Sequence, residues 1–328
     1  MSFSLSFFWI SLCIAPKRKS TPSKNLFHSG ASFSSSYSTP LHVRFHDEKA
    51  RTNFSVNFSK RGIHLERHVI LSDFSDTDLP TIIYSRGWKS LCDISVSCPS
   101  VIIQEFYSNM HGFDSSIPRF LISIRGIRIV VTPELISDVL HVPKVSHPDY
   151  PSCPRLRTVS KDELMSLFCE TPSSWGDCQN TPCSDFAKGS RFLNMVMTFV
   201  LHPLSHYNSI TKHHAQFLLS LLEGLIIDFP SHFILSLIDV YKDTATHDKL
   251  IFPLAIKRII RHASVSYPVS LHFSIMGVIS GAFVRWSEAQ LRPKWPRTET
   301  VTPPASSAPS TFAPSSFAGG VTLEAVMA

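Results

Sequence analysis

The sequence predicts a mainly α (α+β) fold: a multi-helix globular domain with one small β-hairpin, flanked by disordered N- and C-terminal tails. Three observations predict it. Apolar residues recur at helical spacing through most of the middle of the 328-residue chain, and prolines cut that pattern into segments about one helix long. Across 119–131 the period changes to two. At 43% hydrophobic and 17% charged, the chain has ample apolar material for a core. Its length suits one large or two ordinary domains.

In order, the elements follow from local patterns. His46 to Lys60 reads as a helix with Ala50, Phe54 and Phe58 on one stripe. Pro99 opens a second, in which Ile102, Ile103, Phe106 and Met110 share a face. RFLISIRGIRIVV (119–131) is β-branched with Arg125-Gly126 at its centre. It predicts a hairpin of Phe120, Ile122 and Ile124 against Ile127, Ile129 and Val131. Thr132-Pro133-Glu134 is a helix start, supplying a cap, a preset φ and an acid in the first turn. Leu135, Ile136, Val139 and Leu140 form the buried face of that helix. Residues 143–158 and 171–185 read as loops, separated by a Ser160/Glu163 capping box ahead of Leu164, Leu167 and Phe168. From 190 to 290 the pattern is helical, with boundaries at Pro203, Pro230, Pro253 and Pro268.

This gives three regions: a basic, Ser-rich disordered leader (1–42), a helical block (43–292) and a Pro/Ser/Ala-rich disordered tail (293–328). The net charge is +6, and much of it comes from Lys17, Arg18, Lys19 and Lys24, which have no acidic neighbours. Such a run is either a solvated tail or a patch for nuclear import or nucleic-acid contact. The first fifteen residues, MSFSLSFFWISLCIA, hold an apolar run too short to span a bilayer. All the positive charge follows the run, the wrong order for a secretory signal. Nucleus or cytoplasm is therefore expected, the nucleus favoured, with secretion the lesser alternative and no membrane span. Seven scattered cysteines suggest free thiols rather than a disulfide framework.

The richest candidate for chemistry is LHPLSHYNSITKHHAQFLLSLLEG (201–224), with His202, His206, His213 and His214. Two helical zinc ligands need i, i+4 spacing. His202 and His206 have it, but Pro203 lies between them and keeps His202 out of a helix. His213 and His214 are adjacent, so on a helix they diverge by about 100°. The favoured reading is a loop capped by Asn208 or Thr211, then a helix through Ile227. Its core stripe would be Phe217, Leu218, Leu221, Leu222 and Leu225. Cys178-x4-Cys183 followed by His202-x3-His206 imitates a zinc finger, but 18 residues separate the pairs and they are too apolar for one.

No phosphate-binding glycine loop, nucleophile elbow, zinc knuckle or Asp-Ser/Thr-Gly protease motif is present. Asp73, Asp76 and Asp78 read as a solvated turn and cap before a divalent-ion site. Arg86, Arg125 and Arg128 suit phosphate contact or plain exposure, the last two at a hairpin tip.

Several stretches in order carry a resemblance: RFHDEKARTNF (44–54), KRGIHLERHVIL (60–71), SRGWKSLCD (85–93), IIQEFYSNM (102–110), IRGIRIVVTPELISDVL (124–140), the histidine-rich 201–238 and KLIFPLAIKRII (249–260). Over roughly 43–265 the chain resembles the putative plant transposon protein domain of plant retroelement-derived proteins. The resemblance implies mobile-element ancestry and a basic Pro-Lys-Arg-Lys leader, and supplies no catalytic residues. The closing VTLEAVMA resembles the opening of a coiled coil found in longer relatives.

The expectation is a non-enzymatic protein of mobile-element origin, an assembly or nucleic-acid-associated module. It needs no catalytic, cofactor or metal residues. Lys17, Arg18, Lys19 and Lys24 are its candidate nuclear-import or nucleic-acid contacts, and self-association is a second kind of partnership. The alternative is a divalent-metal-dependent nuclease or transposase remnant built from scattered acids.

Overall fold

The computed structural model describes residues 40–93, 98–114, 117–204, 208–243, 249–267, 272–273, 277–283 and 285. The four leader cations, the first fifteen residues, His206, Pro268, the tail and its VTLEAVMA end lie outside the described residues. What is described is mainly α with a few small sheets.

The first predicted helix forms in two parts. Asp47 caps α1 (Glu48–Asn53) by accepting from the Ala50 amide at 2.7 Å. The chain then widens into a π turn, Phe54–Phe58, which brings Phe58 into the core. Helix α2 (Leu79–Ser85) ends in a turn where Gly87, at φ +67°, lets Trp88 N–H reach the Ile83 carbonyl at 3.0 Å. Helix α3 (Ser100–Ser108) starts at Pro99 as expected, but it is buried all round from Ile102 to Ser108, not on one face. Its buried polar side chains have partners. Gln104 donates to the Ser59 carbonyl at 2.9 Å, Ser108 to the Gln104 carbonyl at 2.6 Å, and Tyr107 to the Ile251 carbonyl at 3.1 Å.

Glu105 is the critical case. A buried carboxylate without partners is prohibitively costly. Arg44 Nε reaches its Oε1 at 2.7 Å, and Arg125 forms a fork to both oxygens at 2.8 and 3.0 Å. The Glu105 side chain is fully buried and that of Arg125 only 7% exposed. This corrects the expectation that Arg125 sits exposed on a hairpin tip. The hairpin itself is as expected: β2 (Phe120–Ile124) pairs antiparallel with β3 (Ile127–Val131), Ile122 opposite Ile129. Arg125 and Gly126 both take positive φ, the two-residue turn whose twist suits a hairpin. That turn aims Arg125 back at α3, while Arg128 stays exposed. Met110, predicted to be helical, instead lies in β1 (Met110–His111), a third strand opposite Ile122.

Thr132 caps α4 (Pro133–Leu140) by accepting from the Leu135 amide at 3.3 Å. The Ser160 cap holds, with its hydroxyl accepting from the Glu163 amide at 3.1 Å at the start of α5 (Lys161–Phe168). Leu167, however, points outward, 44% exposed. Both predicted loops contain structure: a helical turn at Pro154–Thr158, and β4 (Asn180–Pro182), which pairs with β5 (Ser209–Thr211). Beyond these come α6 (Lys188–Val196) with a π turn to Leu201, α7 (Lys212–Leu222), α8 (Phe229–Lys242) and α9 (Pro253–His262). Pro230 and Pro253 lie in the first turns of their helices, where no amide is needed.

One continuous apolar core runs from Phe58 to Ile279. Gly62–Ile63 pairs parallel with Lys249–Leu250, and Ile279 bridges Val69, so the early and late parts of the block are sewn together. Glu66 reinforces this seam. Its buried carboxylate accepts from the Leu254 amide at 2.7 Å, in the first turn of α9. Burial dominates and raises its pKa to about 7, against the Leu254 amide and Arg258, which favour the charge.

A raised carboxylate pKa makes the folded state bind more protons than the unfolded one, so stability is lost as pH climbs from about 4.5 through 7. Glu66→Gln removes that loss. Urea unfolding of the two proteins is expected to show the variant gaining on the parent by on the order of 2–3 kcal/mol between pH 4.5 and pH 9. Parallel curves would show that Glu66 carries no burial penalty.

Candidate functional site: a cleft floored by histidines

Three of the four histidines singled out from sequence do come together. His202 closes the π turn at Leu201 in an extended conformation (φ −144°), as a residue before proline should. Strand β5 fixes Thr211 as the cap of α7, and its hydroxyl lies 2.5 Å from His214 Nδ1. His213 and His214 diverge around α7, as two adjacent helical residues must, yet both rings flank His202. Ring centroids are 5.5 Å apart for His202–His213 and 4.3 Å for His202–His214.

The residue that completes the cluster is His232, on α8. Its ring stacks on His202 at 4.8 Å, with His202 Nδ1 and His232 Nε2 2.9 Å apart. Tyr150 meets it edge-on at 5.7 Å, and Phe217 lies at 4.8 Å. Asp149 positions Tyr150, taking the Ile226 amide on its carboxylate at 2.9 Å while its own amide donates to the Ile226 carbonyl at 2.8 Å. The stretch therefore does more than begin a helix. His202 and His213, with His232, form the floor of a cleft of about 880 Å³. Helix α7 also stops at Leu222 rather than Ile227. Gly224, at φ +72°, lets the Leu225 amide reach the Ser220 carbonyl at 2.9 Å, closing the helix with a left-handed turn.

One face of α8 forms a wall of the cleft: Asp228, Ser231, His232, Leu235, Ser236 and Asp239 follow its three- and four-residue spacing. The loop 144–151 and the segment around Ile117 to Arg119 make the other sides. Most of the charges here are paired. Lys144 is bonded to Glu134, Arg119 lies 3.4 Å from Asp114, and Asp228 accepts from the Val145 amide at 3.1 Å. Asp239 is exposed and, among the described residues, its carboxylate has no hydrogen bond or ion pair.

Burial works against positive charge on two of the floor imidazoles. Burial lowers the His232 pKa to about 3, with His213 adding a small push in the same direction and the Leu201 carbonyl opposing it. His213, the most open of the four, is held below its ordinary value by loss of water, against the pull of Asp239. The 2.9 Å contact with His202 fits this state, since a neutral pair shares one N–H while two imidazolium rings would face donor to donor. Burial likewise raises the Tyr150 phenol.

The remaining candidates separate. Cys178 is exposed, while Cys183 is buried with Asn194 Nδ2 3.5 Å from its sulfur, and His206, the last member of the finger-like spacing, lies outside the described residues. Among the described residues no group of three or more His, Cys, Asp or Glu is arranged to hold a metal ion. Asp73 accepts from the Gly281 amide at 2.9 Å, Asp76 pairs with Lys188 at 2.8 Å, and Asp78 precedes α2 without a side-chain capping bond. Arg86 donates to the Leu225 carbonyl at 3.2 Å and lies over Trp88. No helix among the described residues is long and apolar enough to cross a membrane.

A family model, the putative plant retrotransposon-related domain, matches residues 84–266, more than half of the chain. The chain belongs to this family, in agreement with the resemblance drawn from its sequence. No curated protein and no solved structure matches it.

Unfolded His232 takes a proton near pH 6.5 and the folded side chain only near 3, so stability falls as pH drops through that window. His232→Phe keeps the aromatic packing and removes the titration. Its stability relative to the parent is expected to rise by up to about 4 kcal/mol between pH 7 and pH 3.5. An unchanged difference across that range would place His232 in water.

Proposed function

We propose that this plant retrotransposon-related domain is a non-enzymatic module that associates with other molecules, using the leader cations Lys17, Arg18, Lys19 and Lys24 for weak nucleic-acid contact. The carrying observation is that Glu105, His232, Cys92 and Cys183, all inside the fold, are matched or held in their neutral forms. Glu105 is shared by two arginines, His232 is uncharged, and burial raises the Cys92 and Cys183 thiols to about 12, far from the thiolate a nucleophile needs. A nuclease or transposase remnant would need carboxylates converging on divalent ions. Asp73, Asp76 and Asp78 instead lead to a backbone amide, a lysine and a helix start. The basic run favours the nucleus over the cytoplasm, and self-association is the second mode of assembly.

Anisotropy of a labelled 30-base DNA duplex tests the nucleic-acid contact in the full chain. With four cations on phosphates, log K is expected to fall with log salt at a slope of about −3 to −4, and replacing all four by alanine flattens it. Binding of equal strength and salt response in both proteins would remove the leader from the account. Incubation of the same duplex with Mg²⁺ or Mn²⁺ is expected to leave it intact. Cleavage that disappears in Asp73→Asn or Asp76→Asn would restore the nuclease reading.

A further inference from the structure

The cleft carries an inference that goes beyond nucleic-acid association and does not depend on it. Three features define what would fit. First, two apolar side chains of the lining stand uncovered: Leu235 on α8 is 46% exposed and Ile117 is 51% exposed. Second, the charges near the mouth cancel in pairs, leaving the Asp239 carboxylate without a partner among the described residues. Third, the lining face of α8 runs from Asp228 to Asp239, about 16 Å at 1.5 Å per residue. That length matches roughly five residues of extended chain. Burial disfavours the protonated forms of His213 and His232, so these rings do not favour an anion over a cation beside Asp239.

We propose that this cleft docks an extended peptide segment that presents a lysine or arginine to Asp239 and apolar side chains to Leu235 and Ile117. Charge complementarity selects this occupant. A nucleic-acid backbone would place phosphates against an unpaired carboxylate, and a wholly apolar segment would leave that carboxylate facing a dry surface. The aliphatic stem of a lysine can lie along Leu235 while its ammonium reaches the carboxylate.

Calorimetric titration of the full chain with the blocked pentapeptide acetyl-Leu-Ser-Lys-Ser-Leu-amide, and with its Met and Glu counterparts at the central position, tests this. NMR signals of the His213 and His232 rings report where the peptide sits. The Lys peptide is expected to bind about five- to tenfold more tightly than the Met peptide, to shift both ring signals, and to outcompete the Glu peptide. Asp239→Asn is expected to abolish the Lys preference while leaving Met-peptide affinity unchanged, and Leu235→Ser to weaken both. The Asp239 carboxylate is exposed and makes no hydrogen bond or ion pair among the described residues, and Asn keeps the backbone bond to the Asp243 amide, so the variant folds as the parent does. Equal affinities for the Lys and Met peptides, no binding at millimolar concentration, or a Lys preference that survives Asp239→Asn would each overturn the proposal. A duplex that displaces the Lys peptide would identify the occupant as nucleic acid and overturn it as well.

Discussion

The fold depends on one buried carboxylate being neutralised from two sides. Glu105 sits in the middle of α3, a helix enclosed by its neighbours from Ile102 to Ser108. Arg44 arrives from the first helical turn of the block and Arg125 from the hairpin turn. An ion pair of this kind contributes little net stability beside well-packed apolar side chains of the same volume, but removing one partner leaves a charge stranded. Its consequence is register. The hairpin must turn at Arg125-Gly126, with both residues at positive φ, for the guanidinium to reach back to Glu105. The same geometry takes Arg125 out of any phosphate-binding role.

A common pattern links this triad with Glu66 and the histidine cluster. In each, segments distant in sequence meet through a polar group inside an otherwise apolar core. Glu66 holds the start of α9, where Phe252 takes positive φ and offers no side-chain cap. His202 and His232 hold α8 against the turn that follows α6. These groups specify which helix meets which, while Phe, Leu and Ile supply most of the burial energy. Each of these groups joins two segments of the fold, and the open side of the cleft is left uncovered.

Much of this was legible in the sequence because it is local. The hairpin, the caps at Thr132 and Ser160, the boundaries at Pro203, Pro230 and Pro253 and the extended His202 follow from spacing over a few residues. The Gly224 stop of α7 was also legible in principle, since glycine after an apolar stripe is a common helix end. What was not legible is long-range. Gln104, Glu105 and Ser108 make α3 look half-exposed, and only Arg44, Arg125 and Ser59 from elsewhere permit its full burial. His232 lies thirty residues beyond His202, and Tyr150 and Asp239 come from a loop and from a helix end. A histidine between Phe229 and Phe233 on an apolar helix was the one available hint that the cluster had a fourth member.

The most direct test is a double-mutant cycle on Glu105 and Arg125, with Glu105→Gln, Arg125→Met and the pair together compared by urea unfolding of the full chain. The account predicts that each single change destabilises by about 3 kcal/mol or more and that the double variant recovers at least about 2 kcal/mol of their sum. Additivity within about 0.5 kcal/mol would contradict it, because the two side chains would then not depend on each other.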